Sequence, residues 1–234
     1  MGTSLTAAPL TFNDAYAGQN PGDTKNNGDV IGYLRSFDIR SLSINSLGGG
    51  NVHVQILMNY GTNGGDTSLS GIVNGGFPVV HPGDVMISNG TNRWAIPLIS
   101  HNNSMPSGAG LLAGNLYMVS DFLTAATVLN NTNAGSYRPD HFVWGNATGA
   151  TQKSSNGTVA ATSVGGAEIR VDINFTTNDN LFLSTLSEAG TMFSFAAATC
   201  ANDVVDGSNV PEPASFALIG AGLIAVGLRK RLVR

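Results

Sequence analysis

The chain has 234 residues, only 11% of them charged, with 30 glycines and a net charge of −4. Residues 1–209 carry seven basic and 14 acidic side chains, and an acidic body without a basic stripe argues against nucleic acid, where phosphate neutralisation supplies most of the affinity. Cys200 is the only cysteine, which excludes an internal disulfide and a cysteine zinc cluster and suits a small apolar residue at a strand end.

In chain order, residues 1–29 are rich in Asn, Asp and Gly and read as an irregular lead-in with a short strand around Leu10–Phe12. The opening MGTSLTAAPLTF has neither a basic n-region nor an apolar core. Thr6-Ala7-Ala8 would serve as the small-residue end of a secretory signal, so the expectation is that this signal is truncated.

Residues 30–200 alternate between β-patterned runs and turn clusters. In NVHVQILMNY, Val52, Val54, Ile56, Met58 and Tyr60 share one face while His53, Gln55 and Asn59 share the other, a period of two over a whole strand. AEIRVDINF repeats it, with Ile169, Val171, Ile173 and Phe175 inward and Glu168, Arg170, Asp172 and Asn174 outward. Shorter strands are expected in SFDIRSLSI, GDVMIS, RWAIPLIS, GNLYMV, DHFVWG and TMFSFAA, separated by Gly/Asn/Pro/Asp clusters. SDFLTAATVLN, Ser120–Asn130, reads as one short helix capped by Ser120; NLFLSTLSEAG fits a strand or a turn of helix. The predicted fold is all-β, an antiparallel β-sandwich of jelly-roll type. Residues 201–209 are expected as a linker and 210–234 as a separate tail.

That tail reads VPEPASFALIGAGLIAVGLRKRLVR. Pro211 and Pro213 bracket Glu212 and keep the tripeptide extended and accessible. Phe216–Leu228 is uncharged; as a helix it would rise about 20 Å against a hydrocarbon core of roughly 30 Å. Its large apolar residues Phe216, Leu218, Ile219, Leu223, Ile224, Val226 and Leu228 favour insertion by roughly 2 to 4 kcal/mol before the glycines subtract from it. The predicted membrane helix spans residues 214–228, with Ala217, Ala221 and Ala225 as a small-residue face. Arg229, Lys230 and Arg231 would hold the C-terminus in the cytoplasm.

Tripeptide, short apolar helix and basic end together resemble the PEP-CTERM sorting signal of Gram-negative bacteria that make exopolysaccharide. The resemblance implies export through the secretion translocon, transient insertion in the inner membrane, and recognition by an exosortase, a membrane-embedded cysteine transpeptidase acting near Pro211-Glu212-Pro213. It implies an extracellular or outer-surface location. TCANDVVDG, Thr199–Gly207, loosely resembles the end of the body in the same group.

The body offers little catalytic patterning. G-x-S-x-G, H-E-x-x-H, phosphate-cradling and dinucleotide motifs are absent from the sequence. His53, His81, His101 and His141 lie on separate runs and read as surface or turn residues. No cofactor is expected, calcium excepted: Asp14, Asp23, Asp29, Asn202 and Asp203 offer loop oxygens of the kind hard cations need. Trp94 and Trp144 lie in β-patterned runs that favour burial; exposed, they would stack on sugar rings. The expectation is a non-enzymatic surface or matrix protein with a structural or adhesive role in exopolysaccharide or biofilm. The alternative is a carbohydrate-binding module; a secreted polysaccharide hydrolase using two Asp carboxylates ranks below both.

Overall fold

The computed structural model describes residues 9–14, 34–62, 64–71, 79–104, 106–129, 138, 140–199, 201 and 203–209. Within them the chain is mostly β, and every pairing between strands is antiparallel. A five-stranded sheet has the order β1 (Leu10–Asn13), β2 (Ile39–Gly48), β3 (Asn51–Asn59), β11 (Glu168–Thr177), β10 (Ser154–Gly165). A six-stranded sheet runs β13 (Val204–Ser208), β12 (Met192–Ala196), β4 (Asp84–Ser88), β5 (Arg93–Pro97), β6 (Tyr117–Val119), β9 (Thr151–Gln152). β7 (Phe122–Thr124) and β8 (Phe142–Gly145) form a separate ribbon.

The five-stranded sheet follows directly from the period of two. Val52, Val54, Ile56 and Met58 of β3 are buried, as are Ile169, Val171, Ile173 and Phe175 of β11. Their register aligns them row by row: Leu42, Ile56, Val171 and Ala161 form one row, and Ile44, Val54, Ile173 and Val159 the next. These rows join Val85, Ile87, Trp94, Ile96, Phe193 and Phe195 of the six-stranded sheet in one core cluster. Each such large side chain contributes roughly 1.5–3 kcal/mol on burial. β4 lacks alternation because both of its faces are covered; Met86, on the other side, packs with Ala95, Leu111, Tyr117, Val119 and Phe122 in a second cluster.

Two expectations change, the linker and the first helix, while the short strand expected around Leu10–Phe12 is present as Leu10–Asn13, the edge strand of the five-stranded sheet. Phe12 stacks on Phe193 with ring centroids 4.9 Å apart, lying over Gly207, where any Cβ would occupy the ring's place. Residues 201–209, expected as a linker, contain β13, because Val205 has a buried site opposite Phe195. The expected helix Ser120–Asn130 is instead β7 followed by a single helical turn, α2 (Ala125–Val128), one of three helices among the described residues, after the four-residue α1 (Leu34–Phe37). Its cap is Thr124, whose hydroxyl accepts from the Thr127 amide, rather than Ser120; pairing with β8 claims Phe122 for a sheet. The undecided NLFLSTLSEAG forms the third, α3 (Asn180–Thr185), capped by Asp179.

Candidate functional site

The body ends in a fixed position. β13 pairs along its whole length with β12, and Asn209 beyond it is clamped three times. Its amide donates to the Thr191 carbonyl at 2.9 Å, its carbonyl accepts from the Gly190 amide at 2.8 Å, and its side-chain Nδ2 donates to the Leu186 carbonyl at 3.1 Å. Only Val210 separates this clamp from Pro211-Glu212-Pro213. The tripeptide, the apolar segment Phe216–Leu228 and the basic end at Arg229, Lys230 and Arg231 lie outside the described residues, and among those described no helix is long and apolar enough to cross a membrane.

Buried charge sits elsewhere, at His101. Its Nε2 lies 3.0 Å from both carboxylate oxygens of Asp84, and its Nδ1 lies 2.7 Å from the Asn102 carbonyl. The Asn102 carbonyl can only accept, so Nδ1 carries a proton and donates to it, while Nε2 faces the Asp84 carboxylate. Asp84 Oδ2 also accepts the Gly145 amide at 2.8 Å. Burial alone would lower the His101 pKa; the Asp84 charge, the hydrogen bond to it and the Asn102 carbonyl outweigh burial and hold it above the ordinary histidine value. The ring stacks on Trp144, centroids 4.1 Å apart at 13°, and the Trp144 Nε1 donates to the Pro82 carbonyl at 3.1 Å.

His101 therefore binds three parts of the chain into one point: the start of β4, the end of β8, and the loop 98–116. Its backbone also exchanges both hydrogen bonds with Leu111, at 3.0 and 2.9 Å. Asn103 continues the seam, donating to Asn146 and Thr148 and accepting from the Ala147 amide. With neither His101 nor Asp84 exposed, this arrangement has no access for a substrate and acts in holding the fold. The sequence reads His101 as a surface or turn residue; it does lie in the loop between β5 and β6 but is buried, which nothing in its local pattern signals.

The candidate sugar-stacking residues are both in the core: Trp94 and Trp144 are 0% and 1% exposed. Neither presents a ring face to a ligand. Trp94 instead meets Phe182 edge-on at 5.8 Å. Of the candidate calcium ligands, Asp23, Asp29 and Asn202 lie outside the described residues. Asp14 joins the five-stranded sheet through its amide, which donates to the Arg40 carbonyl. Asp203 is fully buried, with Oδ2 accepting the Ile39 amide and Oδ1 the Val204 amide; its carboxylate ties β13 to β2. Among the described residues no group of three or more His, Cys, Asp or Glu could hold a metal.

Two polar surfaces remain. On the outer face of the five-stranded sheet, Asp172 accepts from Arg170 Nε at 2.8 Å and Gln55 Nε2 at 3.2 Å, with His53 Nε2 at 3.0 Å. Partial burial would raise its pKa, but hydrogen bonds from Gln55, His53 and Arg170, and the Arg170 charge, hold it below the usual carboxylate range. Where β9 leads into β10, an open groove of about 500 Å³ is lined by Gln152, Lys153, Ser154, Ser155, Thr176, Asn178, Asp179 and Asn180. Asp179 Oδ2 is sealed from solvent there without a hydrogen-bond partner.

Comparison with known proteins locates one element. A family profile described as the PEP-CTERM protein-sorting motif matches residues 209–231. It begins at the clamped Asn209 and includes Pro211, Glu212, Pro213, the apolar segment and Arg229, Lys230 and Arg231. No curated protein and no solved structure matches the chain.

Proposed function

We propose that the chain is a non-enzymatic surface or matrix protein whose β body, a sandwich of jelly-roll type, is delivered by its tail. The sorting motif implies exosortase processing and export. In this reading the body crosses the inner membrane, Phe216–Leu228 holds it there briefly, and the exosortase acts near Pro211-Glu212-Pro213. The role is structural or adhesive within an extracellular polysaccharide layer or biofilm. The observation that carries the reading is the sorting motif at residues 209–231, starting at Asn209 directly after β13. The test is the mass of the C-terminal peptide in the native host with and without the exosortase. An end near residues 211–213 that depends on the enzyme supports the reading; an end at Arg234 in both strains overturns it.

A second reading, a carbohydrate-binding module, is favoured by the open groove, whose amide and hydroxyl groups suit sugar hydroxyls. It replaces the buried tryptophans as the binding surface. Retention on a polysaccharide matrix that is lost in Asn180→Ala, with folding unchanged, would favour it; equal retention would remove it.

A further inference from the structure

We propose that the groove beside β9 and β10 takes a glycan bearing one negative charge per ring, a carboxylate or a sulfate ester, and that Lys153 is the residue that selects it. This deepens the carbohydrate-binding reading and rests on it.

The groove is held open by the fold itself. Lys153 stands between β9 and β10, where the chain passes from the six-stranded to the five-stranded sheet. Its amide donates to the Leu116 carbonyl at 2.8 Å, and its carbonyl accepts from the Thr177 hydroxyl. The same Thr177 oxygen accepts the Asp179 amide at 3.1 Å, and Thr177 is buried. One hydroxyl thus joins the two walls, residues 152–155 on one side and 176–180 on the other. Walls set before a ligand arrives spare it the entropy of ordering them.

Few groups in the groove are left for a ligand. Gln152, Ser154 and Thr176 already bond to other parts of the chain. Ser155, Asn178 and Asn180 are exposed, and among the described residues their side chains have no hydrogen-bond partner. Asp179 is turned away: its Oδ1 accepts the Phe182 amide at 3.0 Å and its Oδ2 is sealed from solvent. The charge left to the groove is that of Lys153, which is half-buried and has no carboxylate partner among the described residues. Arg40, Arg93 and Arg170 each lie beside one.

These groups favour an acidic sugar over a neutral one. No aromatic or aliphatic residue lines the groove, so a sugar ring finds no stacking face there. A neutral sugar would exchange hydrogen bonds to water for similar bonds to Ser155, Asn178 and Asn180, with small net gain. A charge-assisted bond to Lys153 is roughly twice as strong as a neutral one. A single ammonium balances a single negative charge. A dianionic phosphate monoester would keep half its charge uncompensated, against a body of 14 acidic and seven basic side chains in residues 1–209.

The test titrates the full chain, in mild detergent at low salt, with three oligosaccharides of equal length: an oligogalacturonate, a sulfated dextran oligomer and a dextran oligomer. At least one acidic oligomer is expected to bind about tenfold more tightly than dextran, the gain from one charge-assisted bond. Whichever acidic oligomer binds names the group as carboxylate or sulfate. Lys153→Gln is expected to bring binding down to the dextran level and Lys153→Arg to retain it, with an unchanged thermal melt showing that both variants fold. An acidic preference that Lys153→Gln leaves intact overturns the proposal and places that preference in the basic tail at Arg229, Lys230 and Arg231. Equal binding of all three oligomers, lost in Asn180→Ala, overturns the selection by charge while keeping the groove as a carbohydrate site. Binding of none removes the proposal and the carbohydrate reading together.

Discussion

His101 and Asp84 form an ion pair at 3.0 Å in which neither side chain reaches solvent. Such a pair has a large desolvation cost and is held by further hydrogen bonds, here from Gly145 to Asp84 and from His101 to Asn102. Removing one partner leaves the other charged and buried. His101→Gln or Asp84→Ala is expected to cost about 3–5 kcal/mol, read as a shift in the urea midpoint. The double replacement by apolar residues should cost less than either single change, which a double-mutant cycle checks.

The same pair sets a pH dependence. The folded-state pKa of His101 is raised above its unfolded value. Its contribution is therefore fully present below about pH 6.5 and is lost as pH rises through the folded pKa. The stability of the wild type should fall more between about pH 6 and about pH 9 than that of His101→Gln, the alkaline side being where a raised histidine pKa is felt. Parallel curves for the two proteins would contradict the assignment.

The two buried tryptophans should respond differently to Phe. Trp144→Phe removes the donor to Pro82 and part of the stack on His101, leaving a buried carbonyl without its partner. Trp94 Nε1 is sealed from solvent with no hydrogen-bond partner, so Trp94→Phe loses volume but no hydrogen bond. Trp144→Phe is expected to be the more destabilising by about 1–3 kcal/mol. Neither change should alter retention on polysaccharide when measured on folded protein.

Gly207→Ala tests how β1 is docked. A Cβ at Gly207 would collide with the Phe12 Cδ1, so the ring must shift on Phe193. The expected cost is about 1–3 kcal/mol, with faster amide exchange confined to Leu10–Asn13 and its partners in β2.

Asp203→Ala leaves the buried Ile39 amide without its acceptor, at a cost of about 1–3 kcal/mol; Asp203→Asn, which keeps an oxygen there, should cost less. If Asp203 serves the fold in this way, added calcium will not move the melting temperature of wild type and Asp203→Asn by different amounts.

At the tail, Glu212→Ala is expected to leave export intact and to block processing, read from the C-terminal peptide. The clamp at Asn209 gives a second arm: ten Gly/Ser residues inserted between Asn209 and Val210 should preserve or speed processing, because they relieve the approach to a fixed body. Normal processing of Glu212→Ala would remove that residue from the recognised motif.

The sequence by itself determined the tail and the central strands. The sorting motif is a local string of proline, acid, apolar run and base, needing no distant partner to be recognised. β3 and β11 are equally local, because one buried face imposes a period of two on Val52–Met58 and Ile169–Phe175, whereas β10 carries no such alternation of large apolar residues and was not legible as a strand. Tertiary structure decided the rest. Asp84 and His101 are 17 residues apart, and Gly145 is 61 from Asp84; only the stacking of β8 on β4 makes a turn histidine into a buried cation. Asp203 turned from a loop oxygen into a structural acceptor because β2 brings the Ile39 amide to it. Trp94 and Trp144 are in the core, as their β-patterned runs favoured. That β10 ends its sheet among the described residues is likewise a property of strand order, which no local pattern encodes.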